Sequence, residues 1–481
     1  MSERVGFGAL GGAIQSRRTV LGRNGRPKDS PRPPIGVAGI GDCDVVIRVP
    51  SRQSGTIGRM FERTALPAGP RVISARLPAT RSVSIAAYVL AGSRLETAGQ
   101  VGVAHFMEHL TFKGTKAYPS TRAISEAIEG VGGSFNAATD RESTVYWVRV
   151  PRREAERAMD VVGELIVRPR LEDSDIQSER AVIIEEIRSY LDDPSEYCQI
   201  LFQTAMFGDG PLGREICGDE ADVLALPEAA IRDFWRTAYR PANTVVAVVG
   251  DLSHVEATTL AAEAFGTGNG VVPGFAPAPA LPAGPRIRTG KRDTSQAQIC
   301  LGVPALHRDH PDSWTLAVLN AVLGDGMSSR LFLSVREELG LAYDVSSGLV
   351  DYADAGALEV SAGVDPAELP AALEAILVEL GRLRDELVPE AELEKAKRYL
   401  AGGLELRMDD TRHVASWIGG QEALHDRVLT LEEALEAVEA VDAPAVQALA
   451  GRLFHDEVLR LAAVAPARYL RGLEPRLRLP A

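Results

Sequence analysis

GTGNGVVPGFAPAPALPAGP, at 266–285, holds five Gly and five Pro in twenty residues. Half of its positions resist both helix and strand, so the composition predicts a linker that cuts the chain in two. On the N-terminal side, 71–77 and 83–91 read as strands and a helix begins near Gln100. A short helix over 121–130 stops at Gly130, and 134–150 reads as two strands turning around Asp140 and Arg141. Helical stretches follow at 153–165, 172–192 and 227–237, and the apolar run 244–249 closes this half as a buried strand. Beyond the linker come a strand at 298–303, helices at 312–323 and 329–339, and strands at 343–350 and 356–363. Helices then dominate 366–455, and a last strand occupies 458–464. The order of elements therefore repeats across the linker in pattern, though not in residue identity. The expected fold is α+β, with two structurally related α/β-sandwich halves forming a clamshell around a cavity. The expected divisions are a tail over 1–62, a first domain over 63–265, the linker over 266–288 and a second domain over 289–481.

Composition narrows the function. A chain of 481 residues is too long for one ordinary core. Lys+Arg number 52 against 66 Asp+Glu, a net charge of −14 that excludes a general nucleic-acid binder. No apolar run reaches the roughly 18 residues a membrane span needs, so no membrane association is expected. Cys43, Cys198, Cys217 and Cys300 lie far apart, with neither zinc-ribbon nor disulfide-framework spacing, which fits a reducing, cytoplasmic compartment. Residues 1–35 carry seven basic and two acidic side chains, lack an apolar signal core, and read as a disordered tail. Two other readings of that tail are a true start at Met60 and an Arg-rich presequence.

The chemistry concentrates in His105-Phe106-Met107-Glu108-His109. On a helix, His109 lies roughly 40° from His105 around the axis and Glu108 roughly 60° the other way. All three can face one point. Two imidazoles one turn apart suit a tetrahedral zinc ion, with a third ligand from elsewhere and a fourth position for water. Glu108, not a ligand, is then placed to take a proton from that water. HxxEH is the reverse of the HExxH zincin order and matches the inverzincin pattern. The competing reading is two surface His on an amphipathic helix. His307 and His310 sit in a polar, Pro-containing loop and read as solvated residues.

The third ligand should be an acid on a neighbouring helix. Glu179, Glu185 and Glu186 fall in the helical run 172–192. Glu179 and Glu186 are two turns apart and share a face, while Glu185 points about 100° away. A solvated acidic face is the plain alternative, and spacing does not separate Glu185 from Glu186.

HFMEHLTFKGT at 105–115 followed by ERAVIIEEIRSYLDDP at 179–194 resembles the pitrilysin family of zinc peptidases, which includes insulin-degrading enzyme and the mitochondrial processing peptidase. That family's signature is HxxEH, then 76 residues, then Glu, and here the count arrives at Glu186. The resemblance implies one zinc ion per chain on His105, His109 and Glu186, with Glu108 as general base and Glu179 supporting the site from behind. GGSFNAAT at 132–139 resembles the family's edge-strand motif, implying that Asn136 and Ala137 hold a peptide as an added strand. GMSSRLF at 326–332 and REELGLAY at 336–343 resemble the second domain, implying that Arg336 and Tyr343 grip the substrate carbonyl from across the cavity.

The resemblance runs from about residue 65 to the C-terminus. It implies a metalloendopeptidase for short or unfolded polypeptides, in the short two-domain branch, whose members pair as homodimers or with a related subunit. The noncatalytic processing subunit carries an extended Gly-rich loop where this chain has only Gly324-Asp325-Gly326, which favours a catalytic chain. A partner-dependent or noncatalytic peptide-binding subunit is the alternative. The 46 Arg against 6 Lys suggest a GC-rich bacterial genome and argue against a mitochondrial role.

Overall fold

The computed structural model describes residues 61–268, 274–278 and 284–480. The expectations for the tail up to residue 60, and for Cys43, lie outside the described residues. The first half contains β1 (Glu62–Ala65), β2 (Arg71–Arg76), β3 (Ser82–Val89), α1 (Val103–Thr111), α2 (Thr121–Glu129), β4 (Ser134–Thr139) and β5 (Thr144–Pro151). It continues through α3 (Ala155–Val167), α4 (Asp173–Asp192), α5 (Pro194–Phe207), α6 (Glu220–Ala225), α7 (Glu228–Ala238), β6 (Thr244–Gly250) and α8 (His254–Phe265). The second half contains β7 (Ile287–Lys291), β8 (Ala297–Ala305), α9 (Ser313–Leu323), β9 (Ala342–Asp351) and β10 (Gly356–Val364). It ends with α10 (Leu369–Asp385), α11 (Glu390–Arg407), α12 (Thr411–Leu424), α13 (Leu431–Glu439), α14 (Ala443–Leu453) and β11 (Arg460–Ala465).

The internal repeat is real at the level of sheet topology. One sheet runs β1-β2-β6-β3-β5-β4 and the other β7-β11-β8-β10-β9. In each, an early strand lies parallel to the last one (β2 with β6, β7 with β11), and the remaining pairs are antiparallel. The fold is α+β in two related halves, as expected. β6, TVVAVVG, is buried at every position because both faces of its sheet are covered, which is why it reads as a continuous apolar run.

The covering differs from a clean two-domain picture. On one face of the first sheet, Val83, Ile85, Ala87 and Val89 pack with helices of the first half. On the other face, Ile73, Ala86, Tyr88, Val245 and Ala247 pack against Val414, Ala415 and Ile418 of α12, which belongs to the second half. The second sheet is treated reciprocally. Its Cys300, Ala462 and Val464 pack against Cys198, Phe202 and Met206 of α5, from the first half. Each half thus lends the other one helix. Cys198, Cys217 and Cys300 are buried free thiols.

Close approach explains Gly419. A Cβ there would lie 2.7 Å from Ala247 Cβ and 2.8 Å from Tyr88 Cε2, so α12 can settle on the sheet only without one. Gly419→Ala is expected to cost about 1–3 kcal/mol, read from the urea midpoint. Gly420→Ala is the control, since its Cβ would meet nothing closer than 3.6 Å and Ala favours the helix. Equal midpoints for the two variants would contradict this account of the packing.

Some boundaries shift. β7 begins at Ile287, inside the stretch expected as linker (266–288), because its backbone pairs with β11. β1 likewise starts at Glu62, at the end of the expected tail. The helix expected over 329–339 is a π-helical turn over Phe332–Glu338, a geometry often found at functional sites. The described linker residues are docked: Arg94 donates to Ala276 O at 2.8 Å, and Ala278 N donates to Asp354 at 2.7 Å.

Candidate metal centre and its edge strand

α1 starts abruptly. Gly102, at φ 84°, precedes it, and a Cβ there would strike Cys217 O at 2.5 Å. The buried Glu96 carboxylate accepts from Gly102 N and Ala104 N, both at 3.0 Å, and meets Arg214 at 3.0 Å. A carboxylate at a helix N-terminus satisfies donors that have no partner within the helix. Burial, opposed by these contacts, pushes Glu96 up to about 7. Glu96 therefore fixes the helix that carries His105, Glu108 and His109.

α4 packs against α1 and supplies the acids. His109 Nε2 lies 3.3 Å from Glu186 Oε2, and His105 Nε2 lies 3.8 Å from the same oxygen. The ligand atoms of His105, His109 and Glu186 all fall within 4.8 Å of one another. Donors about 2.0–2.2 Å from one tetrahedral ion sit roughly 3.3–3.5 Å apart, so this donor set fits zinc with small adjustments. Glu185 is turned outward onto Arg188 at 2.6 Å and takes no part in the cluster. Behind the cluster, His109 Nδ1 meets Glu179 Oε1 at 2.9 Å, which leaves Nε2 directed at the ion position. Lys113 pairs with Glu179, and the Tyr190 hydroxyl donates to Glu186. Neither of these contacts has a motif in the sequence.

The charges are coupled. Burial alone would lower the His109 pKa, but Glu179 and Glu186 overcome it and raise it to about 9. Burial would raise Glu186, yet His109, His105 and Tyr190 hold it well below the usual carboxylate range. Without metal, His109 is then a cation shared between two carboxylates at neutral pH. Zinc needs it neutral, so binding should release about one proton at pH 7, and apparent affinity should rise up to ~10-fold per pH unit until about pH 9. Calorimetric titrations in two buffers of different ionisation heat measure this directly. Zero net proton release would contradict the assignment.

Glu108 is 6% exposed, and burial raises its pKa. Thr139 Oγ1 donates to Glu108 Oε2 at 2.6 Å. Thr139 ends β4, the edge strand of its sheet, so the bond ties Glu108 to the strand that carries Asn136 and Ala137. Ala137 N donates to Asn136 Oδ1 at 2.9 Å, and a strand added along β4 has to share or displace that side chain. Arg336 and Tyr343 lie in the second half. The Arg336 guanidinium stands 4.7 Å from the Phe332 ring centroid and 5.6 Å from that of Tyr343, and it pairs with Glu337 at 3.6 Å. Tyr343 is 74% exposed. The two are brought together with each other, and their described partners belong to their own half. His310 serves its loop, accepting from Asp312 N at 3.0 Å. Among the described residues no helix is long and apolar enough to cross a membrane.

Two family models match successive stretches that meet between residues 220 and 225, ahead of the linker. The family model described as insulinase, peptidase family M16, matches residues 71–220, and that described as peptidase M16 inactive domain matches 225–400. An uncharacterized zinc protease of Mycobacterium leprae is 38% identical over 400 residues, covering 82% of this chain and 89% of the relative. One from Bacillus subtilis is 33% identical over 414 residues, covering 85% and 99%. Among solved structures, a peptidase M16 inactive domain from Pseudomonas fluorescens gives a TM-score of 0.78 at 20% identity, covering 85% of this chain and 98% of that one. A protease from Helicobacter pylori gives 0.78 at 24%, covering 84% and 99%. The structural likenesses speak for the fold. The sequence matches span both halves, and the chain belongs to the insulinase family of peptidases, family M16.

Proposed function

We propose that this chain is a zinc-dependent endopeptidase that cuts short or unfolded polypeptides. The reading is carried by one juxtaposition: His105, His109 and Glu186 meet at one point, and Glu108 beside them is bonded to the edge strand where a peptide can add. His105, His109 and Glu186 hold the ion, and Glu179 orients His109. Zinc, when bound, supplies a Lewis acid that lowers the pKa of water and polarises the scissile carbonyl. Glu108 takes the proton of the attacking water and returns it to the leaving amine. Asn136 and Ala137 bind the substrate backbone as an added strand. Arg336 and Tyr343 act from the second half once substrate closes the two together. A chamber of this kind, completed by a second copy or a related subunit, admits only chains that are short or unfolded. A cytoplasmic location accords with this role.

The match of 225–400 to a model described as inactive supports a second reading, a peptide-binding subunit that depends on a partner for turnover. Zinc content and cleavage of a mixed unstructured peptide library, for wild type beside Glu108→Gln, separate the two. Zinc near one per chain with cleavage lost only in the variant supports the peptidase. Zinc with no cleavage by wild type supports the subunit.

A further inference from the structure

We propose that the Ser134 end of the β4–β5 hairpin is a subsite for a carboxylate of the bound peptide, gripped by Arg149 and Arg412. The proposal rests on the reading of β4 as the strand on which peptide lands. In the β4–β5 register, Arg149 stands opposite Ser134 and Trp147 opposite Asn136. Ala137, Tyr146, Val148 and Val150 point into the core under α1, so Ser134, Asn136, Trp147 and Arg149 occupy the other face. α12 covers that face over β2, β6 and β3. At the Ser134 end the cover stops, and an open cleft of about 1060 Å³ begins, bordered by Gly132, Ser134 and Arg149.

This cleft is basic in a chain of net charge −14. Arg81, Arg149, Arg152 and Arg153 line it against Asp251 and Asp409. Arg149 is shared with Asp410 at 2.9 Å and Arg152 with Glu256 at 2.8 Å, while Arg81 has no ion-pair partner among the described residues. From the first turn of α12, the Arg412 guanidinium lies 3.7 Å from the ring centroid of Trp147, the residue paired with Asn136 across the hairpin. The field of these cations is felt by His413, whose pKa is lowered by burial and by Arg407, Arg412 and Arg149, against Asp410.

A peptide added beyond β4 would send alternate side chains onto this face. Ser134 and Asn136 are short, so β4 itself puts no long side chain on this face between an added residue and Arg149, whose guanidinium an incoming carboxylate would share with Asp410. Two strand spacings, roughly 10 Å, separate β5 from the added strand, a gap that an arginine and a glutamate together can span. Thr139 marks the scissile end through Glu108, and Ser134 lies five residues back along β4, roughly 17 Å. The carboxylate therefore sits about five residues from the bond that is cut. It is either an Asp or Glu side chain or the free C-terminus of the peptide, and arginine forks recognise both.

The test uses the full zinc-loaded chain. Labelled peptides share one unstructured core and carry Glu, Gln or Lys four to six residues from the scissile bond, on either side. A further pair ends at that distance as free acid or amide. Binding is read by anisotropy on Glu108→Gln, and cleavage as kcat/KM on wild type. Glu is expected to exceed Gln roughly 10-fold in both, mainly through KM, with the ratio shrinking as salt rises. A preference for acid over amide only at the terminus assigns the site to the C-terminal carboxylate; a Glu preference in the internal series assigns it to a side chain. Arg149→Gln with Arg412→Gln should bring the Glu/Gln ratio close to one, and Arg149→Glu with Arg412→Glu should favour Lys. Equal binding of Glu and Gln peptides by a chain with both arginines intact overturns the subsite, and needs no variant there to fold. Cleavage without charge preference removes the subsite alone. Charge-selective binding with no cleavage by wild type keeps the subsite and removes the peptidase reading.

Discussion

Glu108→Gln should bind zinc as the wild type does and lose at least ~10² in kcat. Glu108 is no member of the His105, His109 and Glu186 cluster, so its charge can go without removing a ligand. The amide oxygen of Gln can still accept from Thr139, so the side chain stays where it is. What disappears is the capacity to take a proton. Burial raises the Glu108 pKa, with Thr139 and His109 opposing, so the wild-type rate should fall on the acid side as this carboxylate protonates. The residual rate of the variant should lack that limb. Zinc content, kcat and the pH profile are measured on one preparation of each protein. A variant that cleaves at the wild-type rate would sink the general-base assignment.

Glu142→Ala should destabilise the chain by about 3–5 kcal/mol, the cost of breaking a buried ion pair on one side. Glu142 is 2% exposed and lies in the β4–β5 turn. It accepts from Arg94 Nη1 and Arg308 Nη2, both at 2.6 Å, and from Ala353 N at 3.1 Å. Arg94 also reaches Asp354 at 2.7 Å, and Arg308 reaches Asp351 at 3.0 Å and Leu424 O at 3.1 Å. The turn of the first sheet, the linker and two loops of the second half are thus held by one buried carboxylate. Removing it leaves two desolvated guanidinium groups short of a partner. Such a loss is a large share of the 5–15 kcal/mol typical of a folded protein, and urea midpoints at two wavelengths would register it. Glu142→Gln, which keeps the shape, should cost less. If Glu142→Ala unfolds within about 1 kcal/mol of wild type, the network is ornamental to stability.

Much of this was legible in the sequence. HFMEH announces its helix and its chemistry together, because i and i+4 imidazoles need no tertiary information to share a face. The apolar run of β6 and the repeated order of elements gave the two sheets. Periodicity left Glu185 and Glu186 level, and the resemblance pointed to Glu186; in the fold Glu185 faces Arg188. Short edge strands β1 and β7 were missed because four of their nine residues are polar and exposed, which breaks the apolar alternation. α5 was missed behind the Asp193-Pro194 break, which ends one helix and caps the next through Asp193. Thr139 and Glu142 were beyond reach for a different reason. Thr139 meets Glu108 across 31 positions and Glu142 meets Arg308 across 166, and no local pattern marks a partner that distant.

The exchange of helices has a consequence for synthesis. The first sheet is complete in sequence at Gly250, but the helix that covers its second face ends at Leu424, 174 residues later. At about 5–20 residues per second, a ribosome needs roughly 9–35 s to bridge that gap. Throughout it the nascent chain presents Ile73, Ala86, Tyr88, Val245 and Ala247 to water on one continuous apolar surface. Chains that stall or terminate between these points will be sticky however well their first half has folded, and the metal centre will ripen on a scaffold that is still waiting for its last quarter.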